Sequence, residues 1–551
     1  MRKVISILAL LICSWSLILG QERVYVSTDK DIYLAGEDIW YSLYCFDHEG
    51  GGYSGLSDVA YLQFVSNDGV AATAKGALIG GRGCGRFRIP MTLPTGNYSI
   101  VSYTKCDGGD AVGEFNGKVI SIFNTSTTAR VQGGVVSRGQ EKAVICESDS
   151  KGDVQITIGL PEDGVVPILI ENGENENLDL SISVFHLDEL EEMSGSYNTT
   201  SLLERKGDFG KVEEVDYAGE IVTVQVEGKD GSSMAGRYVY MSAMGNTDDV
   251  YINKVREDGT VVYHTGNIMG QRDLVFEVEG YASDLSSEPA VKIKEGEYAR
   301  IVPQIPPLEI VPEMESALVE RGRRMQISRR FEADTLWEMC HKKDNSFLGN
   351  TPPLVYNLDD YTRFPVMREV VFEYVENLRI RKVDGKDGFV VQWNNTPVSY
   401  LLSRYNSLIL LDGVPVRDHS IIIDMDPLLV KQIIIYPRRY VLNHFVFDGI
   451  VKFNTYKGDM GGKELWKNTT LVNYDAVQYP AAFLGDKIKD NSGYPKYNST
   501  IYWNPVLDVA AGEEFTFECV KPQYAGEFKI VVEGMDTSGN AIYMEKKIFI
   551  D

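Results

Sequence analysis

Residues 25–47, "YVSTDKDIYLAGEDIWYSLYCFD", decide the fold class. Ile39, Tyr41 and Leu43 alternate with the side chains between them, the period of two expected of a strand. Leu34, Ala35, Gly36 and Glu37 make the turn that precedes it. The same grammar returns in residues 85–106, "GRFRIPMTLPTGNYSIVSYTKC". Phe87 and Ile89 alternate, Pro94 to Asn97 turn the chain, and Tyr98, Ile100 and Ser102 lead the next strand.

The phrase "STDKDIYLAGEDIWY" resembles the opening of the macroglobulin-type β-sandwich of alpha-2-macroglobulins and their bacterial relatives. There a "TDKPIYxPGExVxF"-like phrase is followed by an "LPSGxYxLxAYT"-like phrase. The resemblance covers residues 21–124 and implies a macroglobulin-like β-sandwich over 21–125. Asp31 stands where the family has a proline. No "CGEQ"-like thioester phrase occurs, which excludes covalent trapping in the macroglobulin manner.

Composition extends the β reading to the rest of the chain. A hydrophobic fraction of 44%, with 52 Gly, 31 Tyr and 21 Phe, suits turn-rich β-domains better than helical bundles or disorder. At 551 residues the chain divides into several units, because single cores rarely grow beyond about 250 residues. The balance of 54 basic against 79 acidic residues gives a net charge of -25, which repels nucleic acid and anionic lipid, so nucleic-acid binding is set aside.

The opening "MRKVISILALLICSWSLILGQERVYV" has basic Arg2 and Lys3, an apolar run from Val4, and small Gly20 before polar Gln21. It reads as a secretory signal peptide over 1–20, with the mature chain starting near Gln21. Cys13 invites a lipoprotein reading, but Leu10, Leu11 and Ile12 before it lack the small residue that such cleavage requires. No other stretch reaches the roughly 18 apolar residues of a spanning helix, so the mature chain is expected to carry no transmembrane segment. Six further cysteines, Cys45, Cys84, Cys106, Cys146, Cys340 and Cys519, permit disulfides in an exported chain and equally permit buried thiols. Their spacing gives no zinc pattern.

Further along, "GDVQITIGLP" and "LDLSISVFHLDEL" alternate strictly at Val154, Ile156 and Ile158 and at Leu178, Leu180, Ile182 and Val184, predicting a sandwich over 126–215. Asp-Gly turns at Asp230 and Asp258 predict a third β-domain over 216–300, which resembles small immunoglobulin-like or carboxypeptidase-regulatory-like modules. Pro303, Pro306, Pro307 and Pro312 then mark a linker, and Met314, Leu318, Met325 and Leu336 give the best helical spacing in the chain, so 301–354 is read as linker and helix. Its arginines, Arg321, Arg323, Arg324, Arg329 and Arg330, are the one basic cluster. They read either as a solvated helix face or as a contact patch for an acidic partner surface or a phosphate-bearing headgroup.

In 355–460, Leu408 to Leu411 is a buried strand, Asp412 and Gly413 turn it, and Val414, Pro415 and Val416 return as a short edge. Asp426 and Pro427 start a short turn of helix, and residues 432–436 and 449–455 read as strands, making a small α/β unit. This order resembles the plug domain of TonB-dependent outer-membrane receptors, with counterparts at 412–416, 426–435 and 449–458. The resemblance marks Asp412, Gly413, Val414, Pro415, Gly449 and Gly458 as a plug-like motif that serves the fold and offers a contact surface. Roughly 90 residues follow Asp459, whereas a barrel of about 22 strands at roughly ten residues each needs over twice that, so the plug would stand without its barrel. Alternation at Phe515, Phe517 and Cys519 and at Phe528, Ile530 and Val532 predicts a closing β-sandwich over 461–551.

The expected architecture is therefore mainly β: tandem macroglobulin-like and immunoglobulin-like sandwiches with one helical segment before one small α/β plug-like domain. Chemistry is not expected. The six histidines are scattered with no HExxH, the "GGRGCG" at 80–85 lacks the Walker lysine, and no GxSxG elbow occurs. No catalytic residue, metal site or cofactor is assigned. The expected role is that of a non-catalytic modular envelope protein, exported to the periplasm or to the outer membrane and cell surface. There it would dock a protein partner through β-domain contacts, its oligomeric state left open. The alternative is a macroglobulin-like protease inhibitor or trap without a thioester.

Overall fold

The structure, a computed structural model, describes residues 22–47, 52–107, 117–126, 153–159, 165–174, 176–193, 215–245, 247–266, 268–280, 287–294, 305–331, 337–339, 348, 353–383, 385–392, 406–483 and 495–551. The expected signal peptide, Cys13, Cys146, Cys340, Pro303 and Leu336 lie outside the described residues. The fold is mostly β, built from many small sheets and few helices. Two compact units divide the chain: the first takes residues 1–217, 297–342 and 477–551, the second 218–296 and 343–476.

The first unit opens with the sandwich read from residues 25–47. Glu22–Thr28, Asp38–Asp47 and Arg82–Arg88 form one sheet. Ile32–Leu34, Lys118–Phe123, Gly96–Tyr103, Val59–Ser66 and Gly69–Ala77 form the other, in that order. Register sets Val26 opposite Leu43 and Thr28 opposite Tyr41. The alternating Ile39, Tyr41 and Leu43 thereby enter one core with Phe64, Tyr98 and Ile100.

A second sandwich corrects two expectations at once. Residues 126–215 and 461–551 were each read as a sandwich, but their described strands pair with each other. Leu178–Leu187 lies between Thr500–Val509 and Gly526–Asp536, with Ile182 opposite Val532. Val165–Asn172 lies between Val154–Ile158 and Glu514–Val520. One core takes Leu178, Leu180, Ile182 and Val184 together with Phe517, Phe528, Ile530 and Val532. Alternation fixes which side chains face a core and says nothing about which strand lies alongside.

The other face of Leu178–Leu187 is buried too. Ser181 meets Ser27 at 2.9 Å and the Ser183 hydroxyl donates to the carbonyl of Asp29, so this face joins the two sandwiches of the first unit. The helix Met314–Phe331 lies on the same unit. Met314 and Leu308 pack with Ile32, Leu34, Phe123 and Leu190, and Ile310 and Val311 join them, so the described part of the expected linker is docked.

In the second unit, Thr260–Thr265, Glu220–Gly228 and Pro289–Lys294 face the sheet Val250–Lys254, Tyr238–Ala243, Gln271–Val278 and Thr469–Asp475. The last of these strands was expected in the closing sandwich and instead completes this one, with Leu274 opposite Val472. The α/β part is a five-stranded sheet in the order Leu354–Asn357, Val430–Tyr436, Ile450–Thr455, Leu408–Leu411, Val414–Pro415. Leu408–Leu411 runs parallel to Ile450–Thr455, and the other pairs are antiparallel. The helices Met367–Tyr374 and Ser420–Ile423 contribute Met367, Val370, Val371, Ile422 and Ile423 to its core.

Candidate functional site

The hairpin at Asp412 is built from two adjacent residues in the left-handed region, Asp412 at φ 46° and Gly413 at φ 80°. Two such residues between paired Leu411 and Val414 make the turn that matches strand twist. The Asp412 carboxylate accepts hydrogen bonds from the Thr455 amide at 2.7 Å, the Thr455 hydroxyl at 2.6 Å and the Met460 amide at 2.8 Å. A Cβ on Gly413 would lie 2.5 Å from the Ala243 carbonyl oxygen. Asp412, Gly413, Val414 and Pro415 are all buried, and Gly449, at φ 130°, has Val391 where a Cβ would go. Gly458 sits at φ 68° just beyond Thr455, whose hydroxyl accepts its amide hydrogen at 3.0 Å. The motif singled out in the sequence is spent on holding its own fold, and Asp412 to Pro415 offer little surface to a partner.

Nor does the basic cluster form one open patch. Arg321 is buried and pairs with Asp188 and, at 3.0 Å, with Glu191, while also donating to the Ile32 carbonyl. Burial alone would depress this guanidinium, but the two carboxylates hold it well above its ordinary value. Burial pushes Glu191 up to about 7, opposed by Arg321 and helped by the neighbouring Asp188 charge. Arg324 lies 3.8 Å over the Tyr524 ring and shares Glu320 with Arg323. Arg329 donates to the Gly36 carbonyl at 2.7 Å. Of the five, Arg323 and Arg330 are exposed.

The inward side of this helix walls a cleft of about 230 Å³ in the first unit. Lys30, Arg86, Arg88 and residues 497–500 also line it. Arg86 and Arg88 share Asp38, and Lys30 reaches Ser499 at 2.7 Å and Glu37 at 3.2 Å. His186 also lines the cleft; burial and then the neighbouring Arg324 push it down to about 4. Sequence reasoning missed this cleft, because its cations come from segments more than 200 residues apart and charge spacing reports only local neighbours.

In the second unit the strand Leu354–Asn357 forms an edge of the five-stranded sheet, pairing with Val430–Tyr436 on one side and with no strand on the other among the described residues. Leu354 and Tyr356 pack inward while Val355 is exposed. At the end of this strand Arg363 binds the carbonyls of Pro427 and Val430, both at 3.1 Å, and Tyr456 bonds Asp359 at 2.7 Å. These contacts gather exposed Leu428, Leu429 and Tyr456, and Tyr361 stacks on Tyr374 at 4.3 Å. A paired row of backbone groups open on one side, beside exposed apolar side chains, is the geometry that accepts an added strand.

Among the described residues no three His, Cys, Asp or Glu side chains converge as a metal site requires. Also among them, no helix is long and apolar enough to cross a membrane. Cys106 is a buried thiol that accepts from the Ser57 hydroxyl at 3.6 Å, and burial pushes it up to about 11, the opposite of an activated nucleophile.

No family model matches the sequence, and no curated protein matches it. The solved structures similar to it include bacterial alpha-2-macroglobulins. Trypsin-activated alpha-2-macroglobulin from Escherichia coli aligns at 8% identity and a TM-score of 0.23, over 96% of this chain and 42% of that one. Salmonella alpha-2-macroglobulin reacted with methylamine gives 8% identity and a TM-score of 0.23, over 96% and 40%. This chain thus spans about two fifths of the length of those proteins. Scores this low do not establish a shared arrangement of domains.

Proposed function

We propose that the chain is a non-catalytic modular envelope protein that docks a partner of the outer membrane or cell surface through β-domain contacts. The observation that carries this reading is the edge strand Leu354–Asn357, which has no neighbour on its outer side among the described residues, with Val355 exposed on it and Leu428, Leu429 and Tyr456 exposed near its end. An extended segment of the partner adds to this edge: main-chain hydrogen bonds supply affinity, and the flanking apolar side chains supply choice. The sequence resemblance to a receptor plug supports a setting at the outer membrane, and the signal-like opening supports export.

The test is crosslinking in native envelopes with the unaltered chain and with a Val355→Lys/Leu428→Asp variant, whose replaced side chains are exposed and leave the core intact. A specific crosslink to an outer-membrane or surface protein that the variant loses, with an unchanged circular dichroism spectrum, supports the reading. A monomer that recurs in the soluble periplasm with no crosslinked partner sinks it.

A further inference from the structure

Two carboxylates face each other where the sandwiches of the first unit meet. In the second sandwich, Leu178–Leu187 and Thr500–Val509 run antiparallel with Asp179 opposite Asp508. Like charges directly opposite on such a pair repel. The residues two places away on each strand, Asn177, Ser181, Val506 and Ala510, carry no charge to offset them. On the other side of Asp179 the strand Gly526–Asp536 sets Met535, and the residue after it, Asp536, binds Asn540. Among the described residues Thr500–Val509 is the outermost strand of its sheet, so on one side it is held by Leu178–Leu187 alone.

The cation that answers this pair comes from the first sandwich. Arg82, on the strand Arg82–Arg88, lies 2.7 Å from Asp179 and 3.9 Å from Asp508. Its guanidinium sits over the rings of Tyr44 at 4.5 Å and Tyr53 at 5.5 Å and donates to the Tyr53 hydroxyl at 3.4 Å. Its Nε and Nη2 have no hydrogen-bond partner among the described residues, so donors remain for a second ionised carboxylate. One guanidinium does not balance two carboxylates, and a proton is the remaining means of doing so. The hydrogen bond that Asp508 makes to Asp179, and then burial, push Asp508 up to about 6. Burial opposes ionisation of Asp179 as well, yet the hydrogen bond from Asp508 and the Arg82 charge hold it below its ordinary value. The two shifts belong to one shared proton rather than to two separate acids.

We propose that Asp179 and Asp508 hold one proton between them in mildly acidic surroundings and release it to water near neutrality, making this join a proton-operated catch. With the proton in place, Asp508 donates to Asp179 and fastens Thr500–Val509 to Leu178–Leu187. Without it, the carboxylates repel across the strands and both turn to Arg82, so the outer strand loosens while the first sandwich grips the second more firmly. A carboxyl whose folded value is raised keeps a proton that the unfolded chain has given up, so this fastening is lost as pH rises through the folded value. Asp508 is largely exposed, and solvent screening limits the repulsion to that of an ordinary cross-strand pair. The catch belongs to the first unit, and its failure would leave the docking reading at Leu354–Asn357 untouched.

The experiment is hydrogen–deuterium exchange of the full chain across a pH series on either side of about 6, read by mass spectrometry on peptides covering 500–509 and corrected for the intrinsic pH dependence of exchange. Asp508→Asn and Arg82→Gln variants run in parallel. Protection of 500–509 in the unaltered chain is expected to fall about threefold as pH rises through the series, the size of one like-charge cross-strand pair. Asp508→Asn alters an exposed side chain and keeps a donor to Asp179 at every pH, so its protection is expected to stay level. Arg82→Gln removes the cation that favours ionisation, so the midpoint of the fall is expected to move upward. His186 and Glu191 also titrate in the first unit, and Asp508→Asn leaves both in place. A fall that persists in Asp508→Asn therefore belongs to other groups and overturns the proposal, as does level protection in the unaltered chain or a midpoint that Arg82→Gln leaves in place.

Discussion

Asp29 in the first unit and Asp412 in the second hold the same kind of position, a buried carboxylate that follows a strand and accepts several hydrogen bonds. They differ in reach. Asp412 serves Thr455 and Met460, all within its own small module. Asp29 serves Tyr33 at 2.8 Å and the Trp40 amide at 3.0 Å nearby, but it also accepts from the hydroxyl of Thr500, in the neighbouring sandwich. Its backbone carbonyl accepts from Ser183 of that same sandwich. One aspartate closes a loop, and the other fastens two sandwiches together.

The largest expected effect is at the local site. Asp412→Ala orphans two buried amides and a hydroxyl and places alanine at φ 46°, so the second unit should lose about 4 kcal/mol, at roughly 1–3 for each orphaned group. Asp412→Asn tolerates that backbone and keeps an acceptor, and should lose about half as much. Urea unfolding checks both, and equal losses for the two variants would mean that charge rather than geometry holds the turn.

Next comes acidification, since among the described residues each unit half-buries a histidine, His186 in the first and His419 in the second. Burial pushes His419 from 6.5 down to about 4, and its Nδ1 accepts the Phe389 amide at 2.9 Å, a bond that protonation breaks. A folded value below the unfolded one means that the unfolded state binds more protons in between. Stability of the second unit should therefore be constant above about pH 6.5 and fall by up to about 3 kcal/mol as pH passes through 4. His419→Gln should flatten that fall in pH-dependent unfolding, while the corresponding loss that His186 brings to the first unit persists.

Asp29→Ala should cost the first unit about 2 kcal/mol, because Tyr33, Trp40 and Thr500 lose a shared acceptor but the penalty of desolvating a carboxylate goes with it. Thr500→Val removes only the reach to the neighbouring sandwich and should cost about 1 kcal/mol. If Thr500→Val proves as damaging as Asp29→Ala in denaturant titration, the contact between sandwiches outweighs the turn it grows from.

Local grammar was legible in the sequence where it rests on neighbours along the chain. Ile39, Tyr41 and Leu43 alternate into a core as read, and Asp412 and Gly413 turn a hairpin as read. The partners of Leu178–Leu187 were not legible, because an alternating strand is compatible with any strand of the same period. The displacement of Thr469–Asp475 into the third sandwich has the same cause. Arg321 shows the limit for charge: its arginine-rich surroundings suggested a solvated face, and its actual partner Asp188 lies 133 residues away. Ser181 and Ser183, the polar positions between those alternating residues, are buried rather than exposed, because each small hydroxyl finds a hydrogen-bond partner at the join between the sandwiches.

The pairing of Leu178–Leu187 with strands beyond residue 500 also bears on the order of assembly. During synthesis the chain leaves the first unit near residue 217, returns for residues 297–342, leaves again and returns at 477. By then every segment of the second unit has been made, whereas Leu178–Leu187 is still waiting for both of its neighbours. Contacts that span more than 300 residues close slowly, and unpaired strand edges invite aggregation in the interval. A ribosome stalled before residue 500 should therefore carry a protease-resistant second unit and a sensitive first one. Neither unit is one continuous stretch of chain, so neither can be excised with a single pair of cuts.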